Sequence, residues 1–358
     1  MKYVGIDVHK KMCQAAILDD EGELLDETRF MNTPEGIEEF ARSLTATRGE
    51  VKAVLESTGN LWIQVHDRLE EHGIPVALSS PSNSRLIKDS RLKTDRTDAR
   101  ALARLHRAGV LSTCYVPGAL ERDQRELLRH RLRLVKMQNM VKNRIQSLLD
   151  KHGVRIPYKT RFSKKAVEWM KDLSLGFIDD AILRSDLALL EVLDGQVSSV
   201  EEKLAALAVD DPGVRLLMTM TGVGYFSAMM ILAEVVTVDR FRGDKQFCSW
   251  MGVTPRVWQS GEKTWVGGIG GPGNRRMRWL LVQCAHTARR YDPRMVRLYG
   301  RIERRKGGKC AVAAVAHEMA RVMYHMLKND EPYRGVKVEL WERKLKRMEK
   351  NALIGLRN

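Results

Sequence analysis

Four carboxylates and one serine stand out in this 358-residue chain for the chemistry their types and spacing allow. Asp7 lies in Gly5-Ile6-Asp7-Val8-His9-Lys10, and Glu56 in Leu55-Glu56-Ser57-Thr58-Gly59-Asn60. Asp95 and Asp98 stand three apart in Lys93-Thr94-Asp95-Arg96-Thr97-Asp98-Ala99-Arg100, which puts both on one face of a helix start. Converging carboxylates repel one another unless a cation neutralises them. Hard oxygen ligands with room for water and phosphate suit Mg²⁺ or Mn²⁺. Two such ions stabilise both the attacking and the leaving oxygen of a phosphodiester. Singly, each acid reads as an ordinary strand-end or helix-dipole charge; together they read as a metal site. Ser260 lies between Pro255-Arg256-Val257-Trp258-Gln259 and Gly261, ahead of Gly267-Gly268-Ile269-Gly270-Gly271-Pro272-Gly273-Asn274-Arg275-Arg276. A Ser-Gly in a flexible, basic segment exposes its hydroxyl to a phosphate, with Arg256, Arg275 and Arg276 to stabilise charge. Glycines also let backbone N–H groups approach a phosphate closely. On these residues alone the serine signal is weak, because most Ser-Gly pairs are turns.

Positioning these groups takes an alternation of strands and helices. Tyr3–Val8 and Gln14–Leu18 read as strands, and Asp19-Asp20-Glu21-Gly22 is a four-residue loop into a third strand, Glu23–Phe30. Thr33-Pro34-Glu35 opens a helix with a cap and Pro at its first position. Lys52–Glu56 is a fourth strand, about 61–72 a helix, and Pro75–Ser79 a fifth strand, before the helix start that carries Asp95 and Asp98. The order β-β-β-α-β-α-β-α is what a ribonuclease-H-like domain needs, although periodicity alone shows only an α/β domain. Neighbouring first and fourth strands would set Asp7 and Glu56 side by side at one sheet edge.

The rest of the chain reads as helical. A long basic helix is predicted over about 120–152, with Leu128, Leu132, Val135, Val141, Ile145 and Leu149 among its apolar positions. A second, over about 179–207, has Leu187, Leu190, Val197, Val200 and Leu204 as its seam, and the pair suggests an antiparallel coiled-coil arm or a dimerisation element. From 213 to about 330 the pattern is a second compact unit, largely helical, with a Gly-rich centre. Within it Met220-Thr221-Gly222-Val223-Gly224, followed by a helical 228–235, looks like a helix-hairpin-helix whose amides grip a nucleic-acid backbone without reading sequence. A plain interhelical turn fits that stretch equally well. Residues 339–358 read as a charged terminal helix. The expected division is 1–117, 118–209, 210–345 and a charged tail, 346–358.

Lys and Arg number 61 against 45 Asp and Glu, a net charge of +16. The excess is uneven: −2 over 1–117, +10 over 118–165, −8 over 166–238, +12 over 239–309 and +4 over 310–358. Two basic blocks split by an acidic one read as polyanion-binding surfaces, and nucleic acid is the common polyanion. In the first block Arg129, Arg133, Lys136, Lys142 and Arg144 are the candidate contacts; in the second, Arg256, Arg275, Arg276 and Arg278. No apolar run reaches 18 residues, which argues against a membrane span. Asp7 interrupts the N-terminus where a signal peptide needs an apolar core. Five scattered cysteines without a Cys-x-x-Cys pair favour a reducing cytoplasm.

These motifs resemble those of the DEDD transposases of the IS one-ten insertion-sequence family, relatives of the Piv-type DNA invertases. The resemblance covers nearly the whole chain, from Gly5-Ile6-Asp7-Val8-His9-Lys10 to Gly267-Gly268-Ile269…Gly273-Asn274. It implies a RuvC-like, ribonuclease-H-fold domain, a coiled-coil connector and a C-terminal transposase domain. By motif, Asp7, Glu56, Asp95 and Asp98 would bind the metal ions, and Ser260 would form a covalent 5′-phosphoserine link to DNA. It further implies homodimers pairing into homotetramers, an active site combining two protomers, and a structured non-coding bridge RNA that base-pairs with donor and target DNA. It implies a bacterial or archaeal cytoplasm, at the nucleoid. The chain departs from the family at Gly271, where relatives often carry a basic residue; Arg275, Arg276 and Arg278 follow it closely. RNA is expected on 118–165 and the neighbouring ribonuclease-H-like surface, and DNA on 239–309.

Other classes make different demands. A sugar kinase or ATPase of the actin-like fold also opens on Gly-Ile-Asp-Val and a β-meander, but needs a second phosphate-binding motif in a repeated domain, and this sequence has none. A resolvase-like structure-specific nuclease needs the four acids without Ser260. A non-catalytic RNA-binding protein needs only the basic arm.

Overall fold

Val4, Ile6 and Val8 alternate with Tyr3, Gly5 and Asp7 along the first strand, and this period of two assigns each residue its face. The computed structural model describes residues 1–46, 49–56, 59–79, 94–270 and 273–356. Met1–Pro117 and Gly118–Asn358 form two compact units. Ser57, Thr58, Lys93, Gly271 and Pro272, which belong to the motifs above, lie outside the described residues.

The first unit contains β1 (Lys2–Val8), β2 (Met12–Leu18), β3 (Leu24–Met31), α1 (Pro34–Thr45), β4 (Val51–Glu56), α2 (Trp62–Glu71), β5 (Val76–Ser79), α3 (Asp95–Arg107) and β6 (Thr113–Cys114). Its sheet runs β3-β2-β1-β4-β5-β6. β1 pairs antiparallel with β2 and parallel with β4, so the central strand is flanked on both sides. α1 and α2 cover one face, where Ile37, Phe40, Leu44, Val65 and Leu69 join Val4, Ile6, Val8, Ala53 and Leu55 in one core. Phe40 stacks on Phe30 of β3 with ring centroids 4.1 Å apart. α3 packs on the opposite face, over β1, β2 and β4. The expected cap is formed: the Thr33 hydroxyl accepts from the Gly36 N–H, with Pro34 in the first helical turn. The short edge strand β6 has only two residues, too few to leave a periodic signature.

The second unit contains α4 (Ala119–Lys151), α5 (Lys164–Lys171), α6 (Phe177–Ala208), α7 (Pro212–Met218), α8 (Tyr225–Val235), α9 (Asp244–Trp250), β7 (Val257–Ser260), β8 (Lys263–Val266), α10 (Arg275–Tyr291), α11 (Pro293–Asn329) and α12 (Val338–Gly355). α4 and α6 run antiparallel: Lys151 meets Asp179 (2.7 Å), Arg144 meets Asp186, Gln138 meets Asp194 and Arg131 meets Glu201. Between these polar edges Leu128, Val141, Ile145 and Leu149 share a core with Leu183, Leu187, Leu190, Val197 and Leu204. That core continues without a break through α8, α10, α11 and α12. The terminal stretch is no solvated tail through Gly355, because Met348 and Ala352, one turn apart, bury one face of α12. The Gly-rich centre also departs from a flexible segment: Val257–Ser260 and Lys263–Val266 form a β-hairpin.

Candidate active site

α3 can reach the sheet only because position 5 is glycine. A Cβ at Gly5 would stand 2.2 Å from the Ala99 carbonyl oxygen and 2.4 Å from the Ala103 nitrogen. Helix backbone thus rests directly on β1, and the first turn of α3 falls over the residue two places on, Asp7. Thr94 fixes that turn through a capping box with Thr97. Arg100 ties the helix to β3 through Glu27, with one hydrogen bond of 2.7 Å. Ile6 faces Leu55 in the parallel register of β1 and β4, so Asp7 and Glu56 are the next step of each strand, on the face that α3 covers.

Ligand atoms of Asp7, His9 and Asp95 lie within 4.8 Å of one another. His9 Nε2 stands 3.1 Å from Asp7 Oδ2 and 3.3 Å from Asp95 Oδ1, between the two carboxylates. Burial pushes the Asp7 carboxyl above its ordinary value; the neighbouring His9 opposes that shift, while Asp95 and Asp98 push it further up. Sequence reasoning left His9 out of the site. Its signal was the strand period, since a residue two after Asp7 leans to the same face. The donors fit a small divalent cation: hard carboxylate oxygens, mutually repelling and partly dehydrated, with one imidazole nitrogen of the kind that Mn²⁺ accepts.

Without a cation, the Asp7 charge costs the fold. Asp7→Asn is therefore expected to melt a few degrees above the wild type in EDTA, and to lose the upward shift that Mg²⁺ gives the wild type. Differential scanning calorimetry with and without Mg²⁺ checks both; a lower melting point for Asp7→Asn in EDTA contradicts the repulsion.

Ser260 ends β7 and pairs with Lys263 across a two-residue turn, Gly261-Glu262. Gly261 has φ +59°, and a glycine first in such a turn is the type II′ pattern. The hairpin residues Val257–Ser260 are all exposed. Of the basic candidates, Arg256, Arg275 and Arg276 are exposed, and Arg278 is half-buried beside Gly252. On α4, Lys136 is exposed, Lys142 lies over the Phe162 ring at 5.8 Å, and Arg133 meets Glu126 at 2.6 Å. Arg129 meets Glu234, and Arg144, whose side chain is 58% exposed, meets Asp186. Residues 219–224 form the turn between α7 and α8. Lys344 of α12 donates to the Met218, Met220 and Val223 carbonyls, and burial brings that ammonium down to about 8.

A second residue missed from the sequence is Glu234, only 4% exposed inside apolar α8. Its carboxylate accepts two hydrogen bonds from Arg129, at 2.8 and 3.2 Å, and one from the Asn274 side chain at 3.2 Å. Asn274 in turn caps α10 through the Arg276 and Met277 N–H groups. One buried acid thus joins the long arm to the end of the glycine-rich segment. Breaking a fully buried pair costs about 3–5 kcal/mol; Arg129 keeps some water contact, so Arg129→Ala is expected to cost ~2 kcal/mol. Glu234→Ala leaves no bare buried charge and should cost less. Urea denaturation of both variants checks the order.

Two family models match. A DEDD transposase model, described as "Transposase", matches residues 4–153 and spans all four carboxylates. A model described as "Transposase IS116/IS110/IS902 family" matches residues 214–300 and spans Ser260. The chain belongs to the IS110 transposase family. It is 28% identical over 352 residues to the transposase for insertion sequence element IS1111A of Coxiella burnetii, covering 93% of this chain and 92% of that protein. It is 25% identical over 355 residues to the transposase for insertion sequence element IS1533 of Leptospira borgpetersenii, covering 93% and 97%. Among the described residues, no helix is long and apolar enough to cross a membrane.

Proposed function

We propose that this IS110-family chain cuts and rejoins DNA with a divalent-metal DEDD site on a ribonuclease-H-like sheet and with Ser260 as a covalent nucleophile. The observation that carries the reading is the meeting of Asp7 and Asp95 about His9, beneath the first turn of α3. Asp7, Glu56, Asp95 and Asp98 hold Mg²⁺ or Mn²⁺, which when bound neutralises phosphate charge and polarises the phosphorus. Ser260 Oγ attacks that phosphorus: the Oγ–P bond forms, the P–O3′ bond breaks, and the serine's proton is given up as the departing 3′ oxygen gains one. A 3′ hydroxyl of the exchanged strand then attacks the phosphoserine and releases Ser260, so one phosphodiester is traded for another without an external energy source. Arg256, Arg275, Arg276 and Arg278 grip the DNA near Ser260. Arg133, Lys136 and Lys142 of the arm hold a structured guide RNA that selects donor and target DNA. The protein works as a homodimer that pairs into a tetramer.

The test mixes the protein, Mg²⁺, RNA transcribed from the flanks of the chain's own element, and DNA carrying the element's junction. A protein–DNA adduct stable to denaturant, mapped by mass spectrometry to the peptide holding Ser260, is expected. Removing the metal with EDTA should abolish it, and Mn²⁺ should restore it. Cutting and joining without an adduct refutes the serine, an adduct in EDTA refutes the metal, and an adduct without RNA refutes the guide.

A further inference from the structure

Strand alternation gives the β7–β8 hairpin two different faces. Trp258 pairs with Trp265, and Ser260 with Lys263. Residues two apart share a face, so both tryptophans, the serine and the lysine stand on one side, with Val257, Gln259 and Thr264 on the other. Ser260 and Trp258 are therefore about 7 Å apart along the strand. Both indoles are half-exposed, at 52% and 53%. Tryptophan is a residue that proteins bury on average, and a cross-strand pair left open is a surface built to meet something flat and apolar. The pair is also held in place. A Cβ at Gly267 would stand 2.7 Å from Cζ3 of Trp258, so the ring lies on bare glycine backbone. Gly267 itself extends the ladder by donating to the Arg256 carbonyl at 2.8 Å.

Charge narrows the occupant to a polyanion. From 245 to 291 Glu262 is the one acid, against eight Lys and Arg, including Lys263 beside Ser260 and Arg256 at the foot of β7. A polyanion with flat apolar faces is an unpaired nucleic-acid strand, because a duplex hides the faces of its bases and an unpaired strand offers them. We propose that Trp258 and Trp265 form a stacking platform for unpaired DNA bases next to the phosphate that Ser260 attacks. The proposal rests on the serine reading. Exchange of one strand for another requires bases beside the cut to leave their partners, and indoles at this distance would hold them there. Stacking reads no sequence, so the platform would serve any target.

The test measures binding of fluorescein-labelled dT12 and of a labelled 12-base-pair duplex to the full chain by anisotropy. Base stacking predicts a roughly 5- to 150-fold weaker dT12 affinity for Trp258→Ala and for Trp265→Ala, with little change for the duplex. Trp→Phe at either site should keep most of the affinity, since a ring remains. Ser260→Ala should bind dT12 as the wild type does while forming no adduct, which separates failure of the platform from failure of the nucleophile. Wild-type dT12 binding by both alanine variants overturns the platform, as does an equal loss for dT12 and duplex. Tighter competition by rU12 than by dT12 makes RNA the occupant and overturns it. A change of mass in light scattering with either variant makes the indoles a contact between copies, which overturns it too.

Discussion

Ser260→Ala is expected to abolish the covalent protein–DNA adduct and to lower strand transfer by about 10⁴- to 10⁶-fold, the scale seen when a covalent nucleophile is removed. The size follows from what the hydroxyl would do. It splits one displacement into two and keeps the cut end attached, and no other hydroxyl on its face of the hairpin can replace it. The substitution should leave the fold alone, because Ser260 is exposed at a strand end and such sites usually change stability within about 0.5 kcal/mol. The measurement is adduct yield on denaturing gels, with melting temperature as the control. Full strand transfer by Ser260→Ala would move the nucleophile elsewhere and reduce Ser260 to a turn residue.

What could be read from residues alone, and what could not, divides by the range of the interaction. The meander and both long helices are legible because their signals are periodic and local: Val4-Ile6-Val8 alternate, and Leu187, Leu190, Val197, Val200 and Leu204 recur at helical spacing. The Thr33-Pro34 start was legible for the same reason. The β7–β8 hairpin was masked by its surroundings. Val257-Trp258-Gln259-Ser260 and Lys263-Thr264-Trp265-Val266 flank a Gly at a turn, but the glycines from 267 onward made the whole stretch read as loop. Glu234 was illegible in principle. An acid in an apolar helix looks like an exposed face until Arg129, 105 residues earlier, is seen to meet it. The same holds for the ion pairs of Arg129 with Glu234 and Arg144 with Asp186, whose partners lie too far along the chain to leave a local signal. His9 is the intermediate case, with a local period that marks its face and a distant Asp95 that gives the face a purpose.

Gly5→Ala is expected to cost at least ~3 kcal/mol of stability, the upper end of overpacking, and more than 10²-fold in strand transfer. Ordinary overpacking is relieved when a neighbouring side chain turns aside. Here the added methyl meets two backbone atoms of α3, the Ala99 oxygen and the Ala103 nitrogen, and neither can turn aside without moving the helix. Lifting α3 from β1 by even an ångström carries Asp95 away from His9 and Asp7, because the 3.3 Å contact between Asp95 and His9 leaves no slack. Stability and chemistry should therefore fail together, unlike Asp7→Asn, where the fold gains and the chemistry is lost. Small helix residues share the load: Ala99 and Ala103 are both fully buried, and Ala103→Gly in the Gly5→Ala background removes a second methyl from the crowded seat. That double variant should recover little, because the collisions are with backbone rather than with the alanine methyl. Urea denaturation and Mg²⁺ titration of the single and double variants decide the matter. A Gly5→Ala protein that melts and binds Mg²⁺ like the wild type would mean that α3 sits on the sheet more loosely than helix-on-strand contact allows.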